Sequence, residues 1–130
     1  MHVRRIKKKR VITANPNDSV VKAAKLMDKN GVGCVVVVMN KKPVGILTDR
    51  DVAVRVVARK ADLNRTKVKD VMTASIITGE DSQRAADLAK VMQDYGIRRI
   101  PTVNKKGELT GIITLDDILY LIGMRLKSSH

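Results

Sequence analysis

The chain has 130 residues, of which 44% are hydrophobic and 30% charged, a balance typical of a folded domain and not of a disordered chain. Its aromatic residues are two tyrosines, so aliphatic side chains and methionines must fill the core. The single cysteine, Cys34, excludes an intrachain disulfide and favours a reducing compartment. Within its apolar run, Cys34 is most simply a small buried hydrophobic residue.

The formal net charge of +13 is unevenly distributed along the chain. Residues 1–66 carry 16 Lys and Arg against 5 Asp, whereas residues 67–130 carry 10 against 8 acidic residues. Much of the excess lies in residues 1–10, which we call the basic arm. Such a segment is typical of a solvated, flexible tail, and it could also bind nucleic acid, an acidic protein or anionic lipid. Its cations are Arg4, Arg5, Lys7, Lys8, Lys9 and Arg10.

Neither export nor membrane insertion is indicated. The polar turn Asn-Pro-Asn-Asp at 15–18 follows the arm where a signal peptide would have an apolar stretch. The longest apolar run, 32–39, is far too short to span a bilayer. We therefore expect a cytoplasmic protein without a membrane span.

The elements of the first repeat can be predicted in chain order. A short strand at 11–13 enters the polar turn, and an amphipathic helix follows, which Gly31 is placed to end. A buried strand at 34–38, a turn and a strand at 44–47 come next, and a second helix begins near Thr48. The apolar face of the first helix is formed by Val20, Ala23, Ala24 and Met27.

Sliding the sequence along itself shows that this pattern occurs twice, at an offset of about 65 residues. Gly31 falls on Gly96, and the apolar residues Val3 and Ile6 of the arm fall on Val68 and Val71. After a one-residue shift, residues 45–52 (GILTDRDV) align with residues 111–118 (GIITLDDI). We therefore expect two repeats, 1–66 with the basic arm and 67–130.

The order β-α-β-β-α, found twice, predicts an α/β (α+β) fold. Strands at 100–103 and 109–113 and a helix beginning near Thr114 complete the second copy. Half of this chain is too small to bury a sheet face and two helices well by itself. We therefore expect the two sheets to pack against each other about a pseudo-two-fold axis.

The repeated signature is Gly-aliphatic-aliphatic-Thr-x-x-Asp at a strand-to-helix junction, with Thr48 and Asp51 in one copy and Thr114 and Asp117 in the other. A helix N-terminus attracts phosphate, a Thr hydroxyl can add a hydrogen bond, and an Asp can accept hydrogen bonds from ribose hydroxyls. Thr-x-x-Asp is also a capping box, in which the two residues satisfy each other's backbone donors. One copy alone would favour the cap, whereas two copies in register favour a ligand site.

The order of these features resembles tandem cystathionine-β-synthase (CBS) domains over essentially the whole chain. Residues 45–51 and 111–117 resemble the family's phosphate and ribose signature, residues 70–73 (DVMT) its lead-in and residues 99–103 (RIPTV) its central strand. The resemblance implies a stand-alone regulatory pair, often a homodimer, that binds AMP, ADP, ATP or S-adenosylmethionine between its repeats. It implies no obligatory cofactor, and a change of conformation that controls a partner protein the sequence does not identify.

Taken position by position, the resemblance implies phosphate contacts from Thr48 and Thr114 and ribose contacts from Asp51 and Asp117. Further nucleotide-binding candidates are Thr13, Thr78 and the main chain near Val35 and Ile100 for the base, and Arg99 and Arg50 for phosphate. The first repeat departs from the pattern, because Val36 replaces Pro101 and Cys34 replaces Arg99. The two sites are therefore expected to differ in affinity or in the number of phosphates they prefer.

Catalysis is not expected. Both histidines, His2 and His130, are terminal, no cluster has the spacing of metal ligands, and no Ser or Cys has a partner base. The alternative function is nucleic-acid binding through the basic arm on a CBS scaffold, although the chain has almost no aromatic residues for base stacking. Deleting residues 1–10 is expected to separate this function from nucleotide binding.

Overall fold

The computed structural model describes residues 1–128, so His130 lies outside the described residues. Contacts divide the chain into two compact units. The first-repeat unit is Val11–Ile76, and the second-repeat unit joins Met1–Arg10 to the chain from Ile77 onward. Each unit thus includes the lead-in segment that precedes the other repeat in the sequence. The division at 66/67 describes the sequence repeats and stays a prediction of the domain boundary.

The predicted β-α-β-β-α order is present in both repeats. Each unit contains a three-stranded sheet in which the first pair of strands is parallel and the second antiparallel, with orders β1-β2-β3 and β4-β5-β6. The elements in chain order are α1 Val3–Ile6, β1 Thr13–Ala14, α2 Val20–Asn30, β2 Cys34–Met39, β3 Lys42–Thr48, α3 Asp49–Asp51 continued by a π-helix Val52–Val57, α4 Val68–Val71, β4 Gly79–Glu80, α5 Ala85–Tyr95, β5 Arg99–Val103, β6 Leu109–Thr114 and α6 Leu115–Ser128.

The two long first helices end at the glycines that the sequence marks. Gly31 closes α2 with φ 61°, and Gly96 closes α5 with φ 64°. This left-handed conformation is strained for residues with a Cβ atom, which is why glycine is favoured there. At the other end of α2, the Ser19 hydroxyl accepts a hydrogen bond from the backbone N–H of Lys22. Local signals therefore fix the length of α2.

Each sheet covers one hydrophobic core. In the first-repeat unit, Val20, Ala23 and Met27 of α2 are buried against the strands, whereas Ala24 is half-buried. The second-repeat core is built in the same way, and each core includes residues of a lead-in helix: Val68 and Val71 of α4 in the first-repeat unit and Val3 of α1 in the second. The buried members of the second-repeat core are Val3, Leu88, Met92, Ile100, Ile113 and Ile118.

The interpretation of the basic arm as a flexible tail is wrong. Val3 is 0% exposed in the core of the second-repeat unit. Lys7 forms an ion pair of 2.7 Å with Asp81, and its side chain is only 6% exposed. The backbone of Lys8 exchanges two hydrogen bonds with that of Ile112, of 2.8 and 3.0 Å. The arm is held because its apolar residues complete a core, as their equivalents in α4 do in the first-repeat unit.

A membrane span was not expected, and among residues 1–128 we find no helix with the length and apolar character to cross a bilayer.

Candidate functional site

The signature lies at the predicted junction in both repeats, where β3 meets α3 and β6 meets α6. Each junction is a capping box. Thr48 N–H donates to Asp51 Oδ2 (3.0 Å) and Asp51 N–H donates to Thr48 Oγ1 (3.1 Å). The corresponding distances between Thr114 and Asp117 are 2.9 and 3.2 Å. The capping box, which is the structural explanation of this motif, is therefore present in both copies.

The cap uses one oxygen of each signature carboxylate and leaves the other near a cation. Asp51 Oδ1 lies 3.9 Å from Arg55 Nε, and Asp117 Oδ1 lies 3.7 Å from Lys8 Nζ. Each of the two Asp side chains is 15% exposed. Because a carboxylate oxygen has two lone pairs, Oδ1 can still accept a hydrogen bond from a ligand. Capping and ligand binding are thus compatible at the same residue.

The backbone donors of the first helical turn are less available than the sequence suggests. In the first copy, the N–H of Asp49 bonds the carbonyl of Gly33 (2.9 Å) and the N–H of Arg50 bonds the Asp49 carboxylate (2.8 Å). In the second copy, the N–H of Leu115 bonds the carbonyl of Arg98 (2.8 Å). A phosphate at these junctions must therefore rely on side chains more than on free N–H groups.

The two Thr hydroxyls also differ. The Thr114 hydroxyl donates to Asp117 Oδ2 at 2.9 Å, so it must rotate before it can donate to a phosphate. The Thr48 hydroxyl accepts a hydrogen bond from the Asp51 N–H.

The signature glycines leave room for the lead-in segments to pass close to strands β3 and β6. A Cβ atom on Gly111 would lie 2.6 Å from the Lys8 carbonyl oxygen, and one on Gly45 would lie 2.6 Å from Met72 Sδ. The neighbouring backbone bridges, Lys8 with Ile112 and its equivalent in the other unit, show the same close approach. Glycine is therefore needed here because a second backbone crosses the strand.

Strand register confirms the sequence equivalences between the repeats. Arg99 pairs with Thr114 as Cys34 pairs with Thr48. The first repeat therefore has a thiol where the second has a guanidinium, at the strand position beside the signature Thr.

Pro101 takes the place of Val36, and the exchange changes the sheet. Val36 N–H donates to the carbonyl of Ile12 at 3.0 Å, a bond that proline cannot make because it has no N–H. In keeping with this, the parallel pairing begins one position later in the second repeat. β1 begins at Thr13, whereas β4 begins at Gly79 and not at Thr78, the residue equivalent to Thr13.

The remaining site candidates lie at varied depths. Thr13 on β1 and Thr78 just before β4 are exposed. Val35 and Ile100 have completely buried side chains, so only their main chain could face a ligand. Arg50 is exposed on α3.

Two cations beside the signature were missed by sequence reasoning. Arg55 Nη1 donates to the carbonyls of Val71 (2.9 Å) and Met72 (3.2 Å), in addition to its approach to Asp51. Its i,i+4 spacing from Asp51 was an available signal. Lys8 had no such signal, because it lies in the arm, far in the sequence from Asp117.

A metal centre is not evident among the described residues. Within residues 1–128 there is no group of three or more His, Cys, Asp or Glu arranged to hold a metal ion.

Comparison with known proteins identifies the family. The CBS domain model matches residues 3–58 and 68–123, and the chain belongs to the CBS domain family. The chain is 36% identical over 108 residues to the CBS domain-containing protein YhcV of Bacillus subtilis, a match that covers 83% of this chain and 76% of that protein. It is 39% identical over 110 residues to a protein of Methanopyrus kandleri, covering 84% of this chain and 56% of the relative.

Some relatives are much longer than the matched region. The chain is 37% identical over 110 residues to inosine-5'-monophosphate dehydrogenase of Korarchaeum cryptofilum, covering 85% of this chain but only 22% of that enzyme. The chain thus spans about half of one curated relative and about a fifth of another.

Solved structures share the fold, and complexes with adenine compounds are among them. The CBS domain pair of protein MJ0100, in complex with 5'-methylthioadenosine and S-adenosylmethionine, is 31% identical with a TM-score of 0.86, covering 96% of this chain and 98% of that one. The CBS domain protein PAE2072 of Pyrobaculum aerophilum, complexed with AMP, is 27% identical with a TM-score of 0.82, covering 90% and 89%.

Proposed function

We propose that this chain is a regulatory module that binds an adenine nucleotide and is not an enzyme. The observation that carries the proposal is that both signature aspartates, Asp51 and Asp117, cap the helix through Oδ2 alone, so that Oδ1 takes no part in the cap and lies beside a cation. The complexes of two family members with AMP, 5'-methylthioadenosine and S-adenosylmethionine support an adenosine-containing ligand.

Each part of the ligand has a proposed partner. Asp51 and Asp117 accept hydrogen bonds from the ribose hydroxyls, which require an acceptor that the aliphatic residues around them cannot supply. Thr48 and Thr114 contact phosphate. The base is lined by aliphatic surface, by Thr13 and Thr78, and by the main chain near Val35 and Ile100. Arg50 and Arg99 add positive charge for the phosphates.

The proposed output is a shift between conformations. A ligand that binds one arrangement of the protein more tightly than another favours that arrangement in proportion to the difference in affinity. We infer a cytoplasmic homodimer that passes this change to a separate effector protein. Apolar side chains on the exposed surface of α6 support association with another chain; they are Leu119, Tyr120, Ile122, Met124 and Leu126.

Calorimetric titration with AMP, ADP, ATP and S-adenosylmethionine tests the proposal. We expect saturable binding at micromolar concentrations by at least one of them, and loss of binding in the double variant Asp51→Asn/Asp117→Asn. Asn keeps an oxygen that can cap the helix but places an NH₂ group where a ribose hydroxyl needs an acceptor. Absence of heat with all four ligands, or full binding by the double variant, would refute the proposal.

Nucleic-acid binding by the arm is the second candidate, supported by five exposed cations: Arg4, Arg5, Lys8, Lys9 and Arg10. Lys7 is no longer a candidate contact, because its ammonium group is buried against Asp81. Deleting residues 1–10 is also unsuitable as a test, because it would remove Val3 from the core. Replacing Arg4, Arg5, Lys9 and Arg10 by Gln should instead abolish salt-dependent binding of RNA or DNA and leave nucleotide binding intact. Unchanged nucleic-acid affinity would contradict the second candidate.

A further inference from the structure

Lys8 is the arm residue closest to the signature of the second repeat. Its backbone is fixed by two hydrogen bonds to Ile112, which lies two residues before Thr114 on β6. Its ammonium group lies 3.7 Å from Asp117 Oδ1, and its side chain is 63% exposed. The backbone is thus anchored while the charged end stays in contact with solvent. The ammonium group could therefore contact a ligand phosphate without a large cost for its own desolvation.

The equivalent position in the first repeat carries no charge. Thr73 pairs with Ile46 as Lys8 pairs with Ile112, so Thr73 takes the place of Lys8. The cation beside the first signature is Arg55, and its guanidinium already donates to two lead-in carbonyls. It is therefore less free than Lys8 to turn to a phosphate.

Strand register adds a second difference of the same sign. The position beside the signature Thr holds Arg99 in the second repeat and Cys34 in the first. Lys8 and Arg99 are therefore two second-repeat cations whose equivalents in the first repeat, Thr73 and Cys34, carry no ammonium or guanidinium group. The first repeat has Arg50 within its signature, where the second has Asp116, so each repeat offers a phosphate a different set of cations.

We propose that Lys8 is a phosphate-recognition residue of the Asp117 site, a role for which the Asp51 site has no equivalent cation because Thr73 takes its place. The inference rests on the proposed function, because it concerns the ligand bound at the same signature. Part of the basic arm is then a component of the ligand site.

The variant Lys8→Gln tests this role, with Lys9→Gln as the matched control. Both changes remove one positive charge from exposed arm residues, and both leave the backbone bonds in place. Calorimetric titration would use adenosine, AMP and ATP. We expect Lys8→Gln to weaken ATP binding about fivefold, equivalent to ~1 kcal/mol, and adenosine binding less than about twofold. Lys9→Gln should change neither by more than about twofold.

Variants that keep only one of the two signatures show at which site Lys8→Gln weakens ATP binding. The fivefold loss should persist when Asp51→Asn removes the first site and should disappear when Asp117→Asn removes the second. Equal losses from Lys8→Gln and Lys9→Gln, or equal losses for adenosine and ATP, would overturn the inference while leaving nucleotide binding established. Absence of binding by the unmodified protein would instead refute the proposed function, and this inference with it.

Discussion

Replacing Val3 by Ala tests whether the basic arm is part of the folded core. Val3 is 0% exposed and packs with Leu88, Met92 and Ile113 in the core of the second-repeat unit. The substitution removes two carbon atoms, each worth ~0.8 kcal/mol of transfer free energy. The cavity left behind raises the expected loss in the free energy of unfolding to about 2–3 kcal/mol.

Urea denaturation measures this loss, with Val57→Ala as the control. Val57 is 69% exposed on the π-helix, so its truncation should change the free energy of unfolding by less than about 0.5 kcal/mol. We expect Val3→Ala to lower the denaturation midpoint with little change in the slope m. If the two variants are equally stable, the arm does not contribute to the core and the reasoning is refuted.

Three comparisons between variants test the junctions and the ion pair of the arm. Gly111→Ala should destabilise the protein more than Gly45→Ala in thermal melts. A Cβ atom at Gly111 would lie 2.6 Å from a backbone oxygen of the arm, whereas at Gly45 the 2.6 Å contact is with the Met72 side chain and the nearest backbone oxygen, that of Thr73, is 3.0 Å away. The reverse order would contradict this. Asp117→Ala removes the helix cap and should lose about 1 kcal/mol of stability as well as ligand affinity, whereas Asp117→Asn should lose mainly ligand affinity. Equal melting curves for the two variants would argue against the cap. Asp81→Ala should lose about 2–3 kcal/mol in urea denaturation, because it removes the acceptor shared by the buried Lys7 and the Thr110 hydroxyl. Asp94→Ala, in an exposed pair, should lose less than about 0.5 kcal/mol. Similar losses would refute the buried role of Asp81.

Local sequence signals determined the main helices and strands of each repeat, whereas the short helices α1 and α4 and the π-helix Val52–Val57 were not predicted. The 65-residue repeat, the helix ends at Gly31 and Gly96 and the position of the signature were all predicted correctly. These features depend on interactions within a few residues, such as capping, left-handed backbone and apolar periodicity, and such interactions are encoded in consecutive residues. The repeat strengthened each of them, because a pattern found twice at one offset is seldom accidental.

Sequence comparison between the repeats also located their differences. The replacement of Arg99 by Cys34 and of Pro101 by Val36 could be read from the alignment, and strand register confirms both equivalences. The consequence of Pro101 for the pairing of β4 required the structure, because it depends on which N–H of the central strand faces the parallel neighbour.

Only the tertiary structure decided what the basic arm does. Its charge predicted a solvated, flexible tail; five of its six cations are exposed, but burial of Val3 and the Lys7–Asp81 pair fix the segment on the second-repeat unit. This docking brings Lys8 to Asp117, two residues near opposite ends of the chain. Contacts of this kind arise from packing of segments distant in sequence, so no local pattern records them. For the same reason, the sequence could not show that one carboxylate oxygen caps the helix while the other remains available to a ligand.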